Sequence, residues 1–120
     1  MANNLTNYGE NSVLNGTAMP ATLYMKLHIG TPGEDATTNA AVYTTRTSMT
    51  RTTATVGTCT SAADITTTAV SAAETITAVS FWDAATVGNP WWYGDLAASK
   101  VLAIGDIFSI LAANCVFTMD

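Results

Sequence analysis

The sequence predicts an all-β protein: an antiparallel β-sandwich or jelly roll of about seven to eight short strands with a short N-terminal helix. Three observations favour this class. Short apolar runs alternate with turn residues across the C-terminal third, residues 22–29 alternate strictly, and the middle of the chain is rich in Thr, whose β-branched side chain suits a sheet. All 120 residues are expected to form a single domain, with residues 1–16 as a helix or arm.

The N-terminal segment is predicted to be a short amphipathic helix that ends before Gly16, with Asn3 or Asn4 as its N-cap. Its residues at helical spacing are Leu5, Tyr8, Ser12 and Val13. Two roles are open for this helix. Leu5 and Tyr8 either reach a neighbouring subunit as part of an arm, or the helix covers an open end of its own core.

A central strand is predicted at residues 22–29. Its two faces are Leu23, Met25, Leu27 and Ile29 on the core side, and Tyr24, Lys26 and His28 on a wet or interface-facing side. Tyr24 and His28 are therefore candidate interface residues, and His28 is expected to make a hydrogen bond on the exposed sheet face. Pro32 and Gly33 predict a turn over residues 31–35, within a loop that continues to position 39.

The Thr/Ala/Ser-rich middle is predicted to hold strands at residues 41–47, 51–56 and 64–70, followed by a strand at residues 73–82. The apolar residues expected in its strand cores are Val42, Val56, Ile65, Val70 and Ile76. Polarity alone could suggest disorder in this region, but the dominance of β-branched residues argues for strands.

The C-terminal third begins with a predicted hairpin, in which residues 83–90 reverse the chain between Phe81-Trp82 and the aromatic triplet at 91–93. Further short strands are expected at 101–102, 107–111 and 115–119. The last should place Cys115, Phe117 and Met119 on one face.

Trp91, Trp92 and Tyr93 form the strongest candidate binding feature. Neighbouring side chains of a strand point to opposite faces, so the two tryptophans cannot enter the same core, and one is expected to face solvent or a partner. Aromatic side chains are enriched at interface hot spots and also stack on sugar rings. The alternative is that the sheet twist or a bulge buries both under a loop.

Charge and composition exclude several functions. The net charge is −5 with only four basic residues, which argues against nucleic-acid binding, because phosphate contacts need clustered Lys and Arg. The apolar runs are much shorter than a membrane helix requires, so no membrane insertion is expected. Only 11% of the residues are charged, and a hydroxyl-rich surface loses little solvation when another protein covers it. This balance favours a subunit of an assembly.

No catalytic or metal-binding pattern is evident. His28 is the single histidine and lies mid-strand, no Gly-x-Ser-x-Gly elbow occurs, and the carboxylates fall at turns. Neither a zinc spacing nor an EF-hand pattern is present, and no cofactor is expected. Cys59 and Cys115 are expected to be buried small hydrophobes, and they could pair only if the middle of the chain docks beside the last strand.

Several stretches at both ends of the chain resemble a family of small tailed-bacteriophage virion proteins, commonly labelled tail-fibre or capsid-decorating proteins. The stretches are residues 5–8, 10–11, 20–24, 27–28, 31–36, 81–89, 93–96, 105–106 and 118–120, with Leu14 and Lys100. The middle departs from the family, since residues 42–47 hold only a degenerate form of the family's Tyr-Ala-Arg-Gln motif.

The resemblance implies a non-enzymatic structural protein on the exterior of a virion. The first hypothesis is a capsid cement or decoration subunit, a homo-oligomer such as a trimer, bound to the major capsid protein. The alternative is a tail-fibre module that binds other tail proteins or a host surface glycan. Because residues 1–4 show neither a basic region nor a long apolar core, folding is expected in the host cytoplasm before assembly.

Overall fold

The computed structural model of the chain describes residues 2–16, 19–54 and 57–118. Within these residues the predicted all-β class with one short α-helix is confirmed, with nine strands and one additional 3₁₀ helix. In chain order the elements are β1 (Ala2–Leu5), α1 (Asn7–Leu14), β2 (Thr22–His28), β3 (Thr47–Thr50), β4 (Thr58–Thr60), β5 (Ile65–Thr66), β6 (Glu74–Trp82), β7 (Pro90–Leu102), β8 (Ser109–Ile110), the 3₁₀ helix (Ala112–Asn114) and β9 (Val116–Thr118). Neither helix of these described segments is long and apolar enough to span a bilayer.

Seven strands form one sheet in the order β3-β2-β6-β7-β1-β9-β4, and β5 pairs with β8 in a second, two-stranded sheet. Neighbouring strands are antiparallel except β1 and β9, which run parallel. That parallel pair departs from the wholly antiparallel prediction. It arises because β1 inserts between β7 and β9, neither of which is joined to it by a hairpin turn.

The large sheet curls until its two edge strands approach each other. Beyond the end of β3, Arg51 forms an antiparallel bridge with Ser61, just after β4. The Thr52 amide donates to the Thr60 carbonyl over 2.8 Å, and the Ala62 amide donates to the Thr50 carbonyl over 2.7 Å. These bonds satisfy main-chain groups that an open sheet edge would leave exposed.

An aromatic triangle at the centre of the core shows how strong the curl is. Phe117 on β9 contacts Phe81 on β6 with ring centroids 4.9 Å apart, and Trp92 on β7 at 5.2 Å. Strands β6 and β9 are three places apart in the sheet, which would separate them by roughly 14 Å if the sheet were flat. The sheet therefore folds over its own inner face, giving the two layers of a sandwich.

The predicted central strand is confirmed, although it ends one residue early. Leu23, Met25 and Leu27 are fully buried on the core side of β2. Ile29 was expected to continue this face but is 48% exposed, since β2 stops at His28 and the chain turns away at Gly30. The predicted turn is also present, and Gly33 there adopts a positive φ of 80°.

The N-terminal helix begins later than expected. Leu5 belongs to strand β1, where it pairs with Trp92, and its side chain packs against the core. Thr6, not Asn3 or Asn4, is the N-cap, because its hydroxyl accepts the Gly9 amide over 3.0 Å. The helix ends before Gly16 as predicted, and this glycine has φ 81°.

The middle of the chain holds less regular structure than its composition predicts. Residues 41–46 are not a strand, because the carboxylate of Glu74 accepts the Val42 and Tyr43 amides that a neighbouring strand would have paired. Val42 is 64% exposed and is therefore not a core residue. Of the predicted strand at 51–56, Arg51 forms a bridge and residues 52–54 are not in a strand, while Val56, like Met119, lies outside the described residues.

The predicted strands at 64–70 and 107–111 do lie side by side, but each is regular for only two residues, β5 and β8. Outside β5 and β8 the two segments are connected by isolated main-chain hydrogen bonds, such as the 2.8 Å bond from the Thr67 amide to the Phe108 carbonyl. The hairpin of β6 and β7 is confirmed, with Phe81 opposite Trp92. The apolar run at 101–102 belongs to the end of β7 and is not a separate strand.

Candidate interaction surfaces

Trp91 and Trp92 both lie inside the protein, so the expectation that one of them faces solvent or a partner is wrong. Trp92 points to the inner face of the sheet, where it contacts Phe117. Trp91 is only 2% exposed although it follows the opposite face, because helix α1 covers that face. The Tyr8 ring meets the Trp91 ring edge-on at 5.6 Å. The alternative, burial of both tryptophans, is confirmed, with a helix as the cover.

His28 is fully buried, which corrects its predicted place on an exposed sheet face. The loop that follows β2 folds back over this face, and Nδ1 of His28 lies 2.9 Å from the Thr38 carbonyl. A carbonyl can only accept, so Nδ1 carries the proton and Nε2 accepts the Ser80 hydroxyl at 2.7 Å. The Ser80 oxygen in turn accepts the Trp82 indole N–H at 2.8 Å.

This chain of hydrogen bonds holds His28 in its neutral form. Burial lowers the pKa of His28 and outweighs the bond to the Thr38 carbonyl, which raises it, while the positive charge of Lys26 lowers it further. A serine hydroxyl bonded to a histidine resembles a nucleophile and its base. Here, however, Ser80 and His28 are both 0% exposed, and each is engaged in the interior network.

The remaining predicted interface residues differ in exposure. Leu5 is half-buried against the core, Tyr8 is 38% exposed on the helix, and Tyr24 is half-buried. The hydroxyl of Tyr93 lies 3.4 Å from the Glu34 carboxylate, to which it donates. Burial, and then the charge of Glu34, raise the pKa of Tyr93. Tyr8, Tyr24 and Tyr93 remain predicted contact residues.

A basic and aromatic cluster on the outer face of the sheet was not predicted. The guanidinium of Arg46 lies 4.0 Å from the centroid of the Trp82 ring, and Nζ of Lys26 lies 5.8 Å from it. We call Lys26, Arg46 and Trp82 the cationic platform. The alternation of β2 already placed Lys26 beside Tyr24 on this face, but nothing in the sequence indicates that Arg46 joins them.

Four exposed apolar side chains occur between the end of strand β7 and the residue after β8. We define the end surface by these four side chains, which are each more than half exposed: Val101, Ile104, Ile107 and Leu111. Exposed apolar side chains that form one patch mark contact sites more often than scattered ones do. Ile107 and Leu111 are the first and last residues of the strand predicted at 107–111, and both fall outside its two paired residues, Ser109 and Ile110 of β8.

A cleft of about 360 Å³ adjoins the end surface. One of its walls is a bulge in β7: Ile76 pairs with Lys100 and Ala78 pairs with Asp95, so four residues of β7 stand opposite one of β6. The apolar lining residues are Leu96, Ala97, Ala98, Phe108, Ile110 and Leu111. Within the described segments, no three His, Cys, Asp or Glu side chains are grouped so that they could hold a metal ion.

Comparison with known proteins identifies the family. The model of the family described as "Podophage GP4 fiber I protein gp80" matches residues 1–118. A comparison with curated proteins found no match. The match extends over nearly the whole chain, including the middle, where the residues depart from the family motif named above. The chain therefore belongs to the podophage GP4 fiber I protein gp80 family, whose members are components of the bacteriophage virion.

Proposed function

We propose that this protein is a non-enzymatic structural component of a podophage tail fibre, which works by contact with other proteins on the exterior of the virion. The family match over residues 1–118 carries the proposal, because the family is described as a fibre protein. That description supports a place in the tail over a place on the capsid surface as a decoration subunit.

The end surface supports a role in assembly. It exposes Val101, Ile104, Ile107 and Leu111 beside a cleft with an apolar lining. Covering such side chains releases water from apolar surface at about 25 cal/mol per Å², a gain that partner contact can use. Since only 11% of the residues are charged, little desolvation cost opposes the contact. The partners we propose are further copies of this chain, as in a trimer, and other tail proteins.

The burial and hydrogen bonding of the single histidine support a structural role without catalysis. His28 and Ser80 are buried and hydrogen-bonded to the fold itself, which supports a stabilising role for both. Folding in the host cytoplasm before assembly accords with the cysteines. Cys59 and Cys115 are both buried, and burial raises the pKa of the Cys59 thiol, which makes it less reactive.

Copy number in the virion tests the location. Quantitative mass spectrometry of purified particles, with the major capsid protein as the internal standard, should find tens of copies at most for a fibre component. Hundreds of copies would support the capsid decoration hypothesis and contradict the fibre proposal. Antibody labelling of intact virions in electron micrographs should mark the tail.

Introducing a negative charge into the end surface tests whether it is a contact site. Ile104→Asp and Ile107→Asp should each reduce incorporation into particles and, if copies of the chain associate there, shift the oligomer towards monomer in light scattering. Val87→Asp is the matched control, since Val87 is also strongly exposed but lies in the loop between β6 and β7. Normal incorporation of both end-surface variants would contradict a contact at this surface.

A further inference from the structure

The cationic platform concentrates positive charge on an acidic protein. The chain has four basic residues and a net charge of −5, yet two of the four lie over one indole ring. Strands β2 and β3 pair up to Met25 and Thr47. One step further along the same register places Lys26 opposite Arg46, so the two cations face each other across neighbouring chain segments.

This arrangement has an electrostatic cost. Like charges directly opposite each other in a sheet are destabilising. Burial lowers the pKa of Lys26, and the charge of Arg46 lowers it further. The pKa of Arg46 is lowered by burial and raised by the nearby carboxylate of Asp83. His28, two residues from Lys26 on the same face of β2, has a lowered pKa and adds no balancing negative charge. Trp82 offsets part of the cost through its ring face, and one carboxylate does not balance two cations.

The groups are held in place before any ligand arrives. Nη1 of Arg46 donates to the carbonyls of Ala84 and Val87 at 2.9 and 2.6 Å, which leaves Nε and Nη2 for other acceptors. The Trp82 ring is fixed by its bond to Ser80. Binding to donors that are already ordered loses little conformational entropy.

Polar and aromatic groups continue across the sheet from the platform. Tyr24 is the cross-strand partner of Ser48 on one side and of Trp82 on the other. These three side chains therefore form a row over three strands, beside Lys26. A phenol and a hydroxyl next to fixed cations suit a ligand that carries both hydroxyl groups and negative charge.

We propose that Lys26 and Arg46 bind a carboxylate or phosphate group of an acidic saccharide, whose hydroxyls contact Tyr24 and Ser48. The anion would relieve the repulsion between the two cations, and the Arg46 guanidinium is shaped to bind such oxygens in pairs. Its biological setting, a surface glycan met by a fibre, rests on the proposed function. The binding itself is a property of the isolated chain.

Calorimetry and tryptophan fluorescence on the purified chain test the site, with oligogalacturonate, glucose 6-phosphate and neutral maltotriose as the saccharides. We expect saturable binding of at least one of the acidic saccharides and none of maltotriose, with weaker binding as salt increases. Lys26→Met should weaken binding by roughly tenfold through loss of a charge-assisted contact. Lys100→Met, the same charge change on an exposed part of β7, should leave affinity within about twofold, because salt screens distant surface charges.

Tyr24→Phe provides a second variant, which keeps the ring and removes only the hydroxyl, and it should weaken binding less than Lys26→Met does. Circular dichroism confirms that each variant is folded. The proposal is overturned if neither acidic saccharide binds at millimolar concentration, if maltotriose binds equally well, or if Lys26→Met and Lys100→Met behave alike. These results are independent of copy number in the virion, so a failed binding test leaves the fibre proposal standing, and the converse also holds.

Discussion

The hydroxyl of Ser80 donates a 2.7 Å hydrogen bond to Nε2 of His28, and both side chains are 0% exposed. Protonation of His28 would add an N–H group at Nε2, so that the ring donates from both nitrogens. The new N–H group would face the hydroxyl proton of Ser80. The Ser80 oxygen already accepts the Trp82 N–H, so its proton would need a new acceptor in a buried site. Charging His28 therefore disturbs three side chains at once.

We expect the free energy of unfolding to decrease as the pH falls from about 7 to about 5. Unfolded His28 titrates near pH 6.5 and folded His28 at a lower pH, so the unfolded chain binds more protons in this interval. The contribution of neutral His28 to the free energy of unfolding is fully present above about pH 6.5. Below that pH it decreases by at most about 1.4 kcal/mol per pH unit, because one proton is involved. Urea denaturation across this range measures the decline. His28→Gln should abolish it, whereas an unchanged pH dependence in that variant would contradict the assignment.

Phe117→Ala should destabilise the fold by about 3–5 kcal/mol, since it removes the ring that joins Phe81 and Trp92 across the sandwich and leaves a cavity. Thermal and urea denaturation measure the loss. Val101→Ala is the control, because this side chain is exposed, and it should change stability by less than about 0.5 kcal/mol. Equal effects in the two variants would argue against the aromatic triangle as the centre of the core.

Gly9→Ala should destabilise the fold by about 1–3 kcal/mol through overpacking. An added Cβ would lie 2.6 Å from the Trp91 carbonyl oxygen and 2.8 Å from a methyl group of Leu5, so helix α1 would have to move off β7. Asn11→Ala, an exposed position of the same helix, should be neutral or slightly stabilising because alanine favours helices. A Gly9→Ala protein with unchanged stability and unchanged tryptophan fluorescence would contradict the close approach.

Arg51→Met should loosen the closure between the edges of the sheet. The Arg51 side chain donates to the carbonyls of Met19, Pro20 and Thr52, and hydrogen bonds from a charged donor contribute about 1.5–3 kcal/mol each at most. Amide exchange of Thr52 and Ala62 should accelerate more than exchange in β6. If these two amides keep their protection, the main-chain bonds alone maintain the closure.

The predictions that succeeded describe features encoded by neighbouring residues. The alternation of residues 22–29, the turn at Gly33 and the hairpin that reverses over residues 83–90 all depend on side chains close together in the chain. The predictions that failed at Trp91 and His28 concerned the outer face of the sheet. Its covers are helix α1 and the loop after β2, and the sequence pattern of a strand does not reveal which of its faces another segment will cover.

From its sequence alone, this chain could be assigned an all-β fold and a low charge density, because composition and local periodicity are direct properties of the residue order. The virion family came from the resemblance of several stretches of the chain to known proteins. The tertiary structure decided the rest. Insertion of β1 beside β9, burial of both tryptophans, the meeting of Lys26 and Arg46 over Trp82 and the exposed end surface all depend on contacts between distant segments. Such contacts follow from packing the whole chain around one core, and no short stretch of residues specifies them.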